Sequence, residues 1–305
     1  MEMDIDAIKY AVIRLDSGEI VKLTNKIEEN GAALDKFVET LEDIERKQKY
    51  YDVNKQFTDF QLFQKSYLGT YIQNYFNRFL KLNVSPQYML RFLYLCTFAE
   101  FDTNILKIGA TRNRRKMTMK DLEEILNLSS KEFYNTKNLL IDKNLIKVEL
   151  DSIIVNPKIV LRGEIKIRKG VHFVKIYDEA IEELYKKASA KEHKKLGYLI
   201  ELLPFLNVYH NIICTKETVE TISIDEVNPL DFKEICDILN YNKNQSSRLQ
   251  RELLNIEVNE ELAVIIVQHK TLKFVTINPR IFYRGNNIED LKALSNLFRV
   301  RKKNN

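Results

Sequence analysis

The apolar and polar residues form two kinds of pattern, one typical of helices and one typical of hairpins, which alternate along the chain. Residues 89–98 and 196–206 carry apolar side chains at i, i+3 and i+4, which predicts a buried helix in each segment. Residues 145–155 and 263–277 are β-prone runs interrupted by a short polar turn, which predicts a hairpin in each segment. The chain is therefore expected to combine amphipathic helices with small hairpins.

These patterns belong to an internal repeat. Val155-Asn156-Pro157-Lys158-Ile159 followed by Arg162-Gly163 returns 122 residues later as Ile277-Asn278-Pro279-Arg280-Ile281 followed by Arg284-Gly285. Two shorter phrases also recur, Ile125-Leu126-Asn127 as Ile238-Leu239-Asn240 at an offset of 113, and Asn104-Ile105-Leu106 as Asn211-Ile212-Ile213 at an offset of 107. The offset grows along the chain, so insertions fall between elements and the sequence predicts a duplicated unit.

Each copy carries two closely spaced helix starts, in which a capping side chain is followed three residues later by an acid or amide. The pairs are Thr118 with Asp121 and Ser129 with Glu132 in the first copy, and Asn228-Pro229 with Asp231 and Asn242 with Gln245 in the second. Two short helices separated by a tight turn predict a helix-turn-helix. The hairpin that follows each pair is then interpreted as a wing.

The segment before the first copy predicts a hairpin around residues 15–20 and a helix with apolar residues at coiled-coil-like spacing, namely Leu34, Phe37, Leu41 and Ile44. This helix either packs against the first unit or forms a homodimer. The predicted fold is mainly α with small β wings, two tandem winged helix-turn-helix repeats and an N-terminal hairpin and helix. The predicted domains are 1–56 for this extension, 57–163 and 164–285 for the two winged units, and 286–305 for a C-terminal helix and basic tail.

Composition indicates what class of protein the chain belongs to. The 305 residues are 45% hydrophobic and 30% charged with a net charge of +5, which is typical of a globular, mildly basic protein. The acidic start Met1-Glu2-Met3-Asp4 and the lack of long apolar windows predict a cytoplasmic protein that does not span a membrane. The three cysteines, Cys96, Cys214 and Cys236, are expected to be buried free thiols.

The second helix of each predicted pair is the candidate DNA-reading element, because the N-terminal part of that helix enters the major groove in helix-turn-helix proteins. Asn side chains can bind adenine, Arg and Lys can bind guanine, and hydroxyls can bind phosphates. The candidates are Ser130, Lys131, Tyr134, Asn135, Lys137 and Asn138 in the first copy, and Lys243, Asn244, Ser246, Ser247, Arg248 and Arg251 in the second.

Residues 103–120 contain several cations and no acid before the first capping pair. The candidates for phosphate contact are Arg112, Arg114, Arg115 and Lys116, and the basic tail at residues 299–303 is a further candidate. Arg162 and Arg284, which end the two hairpin segments, either contact phosphates or form salt bridges inside their own unit.

Three sets of residues carry a family resemblance: Leu122-Glu123-Glu124-Ile125-Leu126-Asn127-Leu128-Ser129, the two Asn-Pro to Arg-Gly phrases, and Phe173-Val174-Lys175-Ile176-Tyr177 leading to His193-Lys194-Lys195-Leu196. Together they resemble the winged-helix replication and regulatory proteins, RepL-like or MarR-like, of phages and plasmids from low-GC Gram-positive bacteria. The resemblance covers residues 57–285 and implies binding of double-stranded DNA. Most such proteins have one winged unit whereas this chain has two, so a simple symmetric dimer is not implied.

The sequence contains few motifs that would indicate an enzyme. A phosphate-binding loop, a His-x-His metal pair and the His-x-x-Arg box of tyrosine recombinases are all missing, so neither catalytic residues nor a metal or cofactor are predicted. No small-molecule ligand is evident. The expected function is a transcription regulator; the alternatives are a replication initiator that binds origin repeats, and a catalytically inactive recombinase-like DNA binder or protein-binding adaptor.

Overall fold

The structure is a computed structural model, and it describes residues 10–13, 20–24, 31–110, 113–149, 151–163 and 173–302. Before residue 58 and after residue 299 most side chains lie outside the described set. Residues 1–58 and 59–305 form two compact units.

The helices are α1 Gly31–Leu68, α2 Phe76–Leu80, α3 Pro86–Cys96, α4 Met119–Leu126, α5 Ser130–Asp142, α6 Asp178–Lys187, α7 His193–Glu201, α8 Phe232–Ile238, α9 Ser246–Leu254 and α10 Ile288–Lys302. Short 3-10 turns lie at Leu203–Phe205, Lys216–Thr218, Ile224–Glu226 and Lys243–Gln245.

The strands are β1 Tyr10–Ile13, β2 Ile20–Thr24, β3 Tyr71–Asn74, β4 Lys107–Ile108, β5 Arg115–Lys116, β6 Ile146–Glu149, β7 Ser152–Val155, β8 Val160–Leu161, β9 Val174–Tyr177, β10 Glu257–Val258, β11 Glu261–Leu262, β12 Val264–His269, β13 Leu272–Ile277 and β14 Phe282–Tyr283.

The N-terminal unit contains the antiparallel pair β1 and β2, as the hairpin pattern predicts. The turn between these strands lies outside the described residues. The predicted helix is present as α1, which runs without interruption to Leu68. The side chains of Leu34, Phe37, Leu41 and Ile44 are not described, so the choice between packing and dimerisation stays a prediction.

A four-stranded antiparallel sheet lies at the centre of residues 59–305, in the strand order β14-β9-β3-β8. Each copy contributes one strand from its beginning and one from its end. The two opening strands, β3 and β9, pair with each other in the middle, and each closing strand pairs on the outside with the opening strand of its own copy. The sheet therefore joins the two copies.

Hydrogen bonds in this sheet define which residues are equivalent. Gln73 donates from its side chain to the carbonyl of Gly163, and Lys175 donates to the carbonyl of Gly285, the repeat partner of Gly163. Gln73 and Lys175 are thus equivalent, and they are also directly opposite each other in the β3–β9 pairing. Because antiparallel neighbours are related by half a turn about the sheet normal, a pseudo-twofold axis passes between these two residues.

The repeat extends into the interior through two buried asparagines, Asn104 and Asn211, which both adopt the left-handed conformation with φ of 56° and 52°. Each side-chain amide donates to two backbone carbonyls at matched positions, Val155 and Val160 for the first and Ile277 and Phe282 for the second. The duplication that the sequence predicts is therefore present as a repeated hydrogen-bond frame.

The prediction of a mainly α, tandem winged-helix fold is wrong. The protein is mixed, with 48% helix and 20% strand, and its largest sheet has four strands. The prediction failed because strands β3, β8, β9 and β14 have only two to four residues each and pair with segments far away along the chain. Such short apolar runs have no periodicity that separates a strand from a connecting link.

The capping signals predicted the helix starts of the first copy, and one start in the second copy is corrected. Thr118 and Asp121 form a capping box at the start of α4, and Asp231 and Glu234 form one at the start of α8. The second box corrects the predicted start at Asn228-Pro229, because these two residues belong to an extended segment in which Pro229 bridges to Cys214. The hairpins β6–β7 and β12–β13 follow the helix pairs as predicted.

Helices α3 and α7, which the apolar stripes predicted, pack against each other. Their approach is close enough to require glycine, since a Cβ on Gly197 would lie 2.1 Å from the carbonyl oxygen of Pro86. One continuous hydrophobic cluster contains buried residues from both copies, among them Leu93 and Ile200. The two copies therefore share one core.

Candidate nucleic-acid interface

Helix α5 is the predicted reading helix of the first copy. The hydroxyl of its N-cap residue, Ser129, accepts a hydrogen bond from the backbone N–H of Glu132 at 3.4 Å. Phe133, Thr136 and Leu140 are buried on the inner side of the helix. The outer side of α5 is thereby left to its polar residues.

The predicted contact residues of α5 divide by exposure. Ser130, Lys131, Tyr134 and Asn135 are exposed, whereas Lys137 and Asn138 are half-buried. The Tyr134 ring is 60% exposed and has the Lys137 ammonium 5.1 Å from its centre, within cation–π range. No carboxylate of the described residues lies within salt-bridge distance of Lys131, so that side chain can pair with a phosphate.

A buried arginine that the sequence reasoning missed lies beneath α5. Arg91 of α3 is 1% exposed and donates to Glu132 at 2.8 Å, to the Thr136 hydroxyl at 2.9 Å and to Nδ1 of His193 at 3.3 Å. Glu132 and Thr136 belong to α5, and His193 opens α7 of the second copy. Arg91 thus fixes the first reading helix to both copies. The signal in the sequence was a lone arginine inside an apolar helix.

The second reading helix consists of the 3-10 turn Lys243–Gln245 and α9. The carboxamide oxygen of Asn242 accepts from the backbone N–H of Asn244 at 3.0 Å and caps the turn, and Leu249 and Leu253 are buried. Of the predicted contact residues, Ser246 is half-buried and the others are exposed, namely Lys243, Asn244, Ser247, Arg248 and Arg251.

Two cations of this second helix already have acidic neighbours. Arg248 donates to Glu252 at 2.8 Å, and Lys243 lies 2.7 Å from Asp237. The Arg248 and Lys243 side chains are 60% and 58% exposed, and ion pairs of exposed cations contribute little to stability. Arg248 and Lys243 can therefore exchange these partners for a nucleic acid at small cost.

The basic segment before α4 is less free than its sequence indicates. Arg115 forms a bidentate salt bridge with Asp121 at 2.6 Å, which lowers the pKa of that carboxyl, and Lys116 lies 2.8 Å from Asp151. Arg114 donates only to backbone carbonyls among the described residues. Arg112 lies outside the described residues. Arg115 has a structural role at the α4 cap, whether or not it also meets a phosphate.

Arg162 and Arg284, for which the sequence left two roles open, both make contacts inside the protein. Arg162 donates to Asp178 at 2.5 Å, and the Arg284 guanidinium lies 5.0 Å from the centre of the Phe76 ring. Asp178 and Phe76 occupy equivalent positions after β9 and β3. Each arginine therefore reaches across the axis to the other copy.

In the basic tail, the Arg299 guanidinium lies 4.6 Å from the centre of the Tyr67 ring. The side chains of residues 300–302 and all of residues 303–305 lie outside the described set. The tail's predicted role in DNA contact stays a prediction.

The axis determines how the two reading helices are related. Helix α5 packs on α3 and α9 packs on α7, so each reading helix is held by the buried helix of its own copy. A rotation about the sheet normal leaves height above the sheet unchanged. Extended from the sheet to the reading helices, this rotation predicts that α5 and α9 lie on the same face of the sheet, on opposite sides of the axis.

The described part of the chain holds no group of three or more His, Cys, Asp or Glu side chains placed to bind a metal ion. Cys96, Cys214 and Cys236 are buried and free, as predicted, and burial raises the pKa of the Cys96 thiol. Among the described helices, none is long and apolar enough to cross a membrane.

Comparison with known proteins does not name a relative. No family model matches the chain, and no curated protein or solved structure is significantly similar to it.

Proposed function

We propose that this protein binds double-stranded DNA sequence-specifically and without catalysis, through the N-terminal parts of α5 and α9. The observation that carries the proposal is that α5 packs on α3 as α9 packs on α7, in two copies that the central sheet joins about a pseudo-twofold axis. Proteins that read DNA with paired helices place such an axis on the dyad of the duplex, so that both helices enter major grooves from one side.

The exposed side chains supply the second argument. Tyr134, Asn135 and Lys131 on one helix and Arg248 and Arg251 on the other are residue types that bond base edges and phosphates. Equivalent positions differ between the helices, with Asn135 matching Arg248. The two half-sites are therefore expected to differ in sequence.

The test begins with selection of genomic fragments bound by the full chain, followed by fluorescence anisotropy on the selected duplex. We expect a Kd of about 10⁻⁸ M or tighter at physiological salt, retained in excess competitor DNA. The variant carrying both Asn135→Ala and Arg248→Ala should bind the selected and a scrambled duplex alike. Loss of wild-type binding on addition of competitor would contradict the proposal.

The selected fragments also separate the two biological roles. A single site beside a promoter indicates a transcription regulator, the role that the sequence favours, and repeated sites beside its own gene indicate a replication initiator.

Phosphate contacts can be tested separately by the salt dependence of the affinity for DNA. Arg112→Gln with Arg114→Gln should weaken all duplexes alike and flatten the slope of log K against log salt by about 0.9 for each phosphate that is no longer neutralised. Arg115 is left unchanged because it holds Asp121. The matched control is Lys158→Gln with Lys191→Gln, which removes two exposed cations outside the proposed contact residues.

A second candidate function is a protein-binding adaptor. Large apolar side chains are exposed on the first copy, at Tyr134, Ile141 and Val148, with 60%, 39% and 43% of their surface accessible. Exposed apolar groups of this kind favour a protein partner over a phosphate backbone. Absence of any selected DNA fragment would favour this candidate.

A further inference from the structure

A cleft of about 670 Å³ opens between the two copies, and none of its lining residues is among those proposed to read DNA. The first copy contributes Phe76 and Lys81, and the second contributes Phe205, Lys216 and Arg284. Its volume lies in the range of small-molecule sites.

The pseudo-twofold axis shows what is unusual about Arg284. Its equivalent, Arg162, is neutralised by the buried carboxylate of Asp178 at 2.5 Å. At the matching place Arg284 meets the ring of Phe76, and no salt bridge joins it to a carboxylate of the described residues. Burial lowers the pKa of Arg284, and the charge of Glu220, which also lines the cleft, raises it. Its guanidinium donates to the backbone carbonyl of Leu206 at 2.7 Å. The salt bridge that Arg162 forms thus has no counterpart at Arg284 among the described residues, and the cleft lies at that position.

The charges around the cleft are unbalanced. Lys81, Lys216 and Arg284 face two carboxylates, Glu201 and Glu220. Burial raises the pKa of Glu201 to about 7, so this carboxyl is only partly ionised at neutral pH. An anion in the cleft would balance the charge of Arg284, as Asp178 does for Arg162.

The walls define the rest of the ligand. The rings of Phe76 and Phe205 lie under the cationic groups of Arg284 and Lys216, at 5.0 and 5.2 Å from ring centre to charge. Apolar side chains complete the lining, namely Leu80, Pro204, Val219 and Ile238. A ligand with a flat apolar body and one anionic group would be complementary to the apolar walls and to the cations.

We propose that this cleft binds a small organic anion, in which a carboxylate or phosphate pairs with Arg284 and Lys216 and an aromatic body packs between Phe76 and Phe205. Because the cleft is lined from both sides of the axis, the ligand would link the two copies. The site lies outside the DNA-reading helices, so it goes beyond the proposed function.

Calorimetric titration of the full chain with four probes tests the proposal. Phenyl phosphate and benzoate represent the two anion sources, benzyl alcohol is the neutral aromatic control, and inorganic phosphate is the anion without a body. We expect one or both aromatic anions to bind, and benzyl alcohol and inorganic phosphate to bind at least about tenfold more weakly. Whichever anion binds more tightly identifies the headgroup.

Variants locate the binding. Lys81→Gln with Lys216→Gln changes only exposed cations and should weaken the aromatic anion at least about tenfold. Arg284→Met should abolish binding, with circular dichroism reporting whether the variant is folded. The matched control, Lys158→Gln with Lys191→Gln, removes two exposed lysines outside the cleft and should bind as the wild type does. Equal affinity in the Lys81, Lys216 variant and in the control, or binding of neither aromatic anion, would overturn the proposal.

Discussion

The two copies keep the same backbone frame and support their reading helices by different side chains. In the first copy Arg91 ties α5 to α7 through three polar contacts. Its equivalent in the second copy is Tyr198, whose ring meets Tyr241 edge-on at 6.0 Å. The buried asparagines at 104 and 211, in contrast, make matching bonds in both copies. Duplication therefore preserved the frame while the contacts that orient the helices diverged.

The largest effect is expected where the copies touch. Gly197→Ala places a Cβ 2.1 Å from the Pro86 carbonyl oxygen, so α3 and α7 must move apart, at a cost of about 3 kcal/mol in the free energy of unfolding. Urea unfolding measures this. Lys194→Ala, an exposed change on the same helix, should stay within about 0.5 kcal/mol of wild type. A Gly197→Ala protein as stable as that control would mean that the copies do not pack as described.

Arg91→Leu tests whether the first reading helix depends on the buried arginine. Thr136 and His193 lose a donor inside the core, so unfolding should become easier by about 2 kcal/mol. Specific DNA binding should also weaken, because α5 loses its link to α7. Tyr198→Leu, the equivalent change in the second copy, removes no buried charge and should cost less. Equal losses in the two variants would show that the copies are supported alike.

Arg248→Ala and Asn135→Ala compare the reading surfaces at equivalent positions. Arg248→Ala should cost about 1.5 kcal/mol of specific binding, near the lower end for a base contact, because Arg248 must first leave Glu252 at 2.8 Å. The variant should lose its preference for a guanine in one half-site. Asn135→Ala should instead relax selection at an adenine in the other, as measured by anisotropy on singly mutated duplexes. Losses at the same base pair would contradict the assignment of one helix to each half-site.

A further effect depends on pH. Burial, together with the neighbouring Arg91, lowers the pKa of His193 from 6.5 to about 4. As pH falls, the unfolded chain is protonated at His193 before the folded chain is. The contribution of His193 to the free energy of unfolding is therefore complete above pH 6.5 and is lost as pH falls toward 4. Urea midpoints between pH 7 and pH 5 should fall more steeply for the wild type than for His193→Gln. Parallel slopes would argue against a buried, neutral histidine.

Local features of the fold could be predicted and distant ones could not. The caps at Thr118 and Ser129 act within three residues, so the helix pair of the first copy could be read from its side chains. The sheet could not, because β8 contributes only two residues and finds its partner at Gln73 and Asn74. Pairing across such a separation depends on the tertiary structure rather than on local propensity.

The candidate site divides in the same way. Exposed positions such as Asn135 and Arg248 follow from helix periodicity. The partners of charged groups do not, and Lys116 meets an acid, Asp151, that lies 35 residues away. The buried Arg91 could be noticed in the sequence, but its link between α5 and α7 required the packed structure.

The two residues on the axis bear on how the molecule can assemble. Directly opposite side chains in an antiparallel pair lie about 5 Å apart, and here they are Gln73 and the buried ammonium of Lys175. Were the second half to associate with another second half in this register, two ammonium groups would be forced together in a dry interior, which is strongly unfavourable. An amide facing an ammonium carries no such repulsion. Pairing of the first half with the second half of the same polypeptide is thus favoured over pairing of two second halves from different polypeptides.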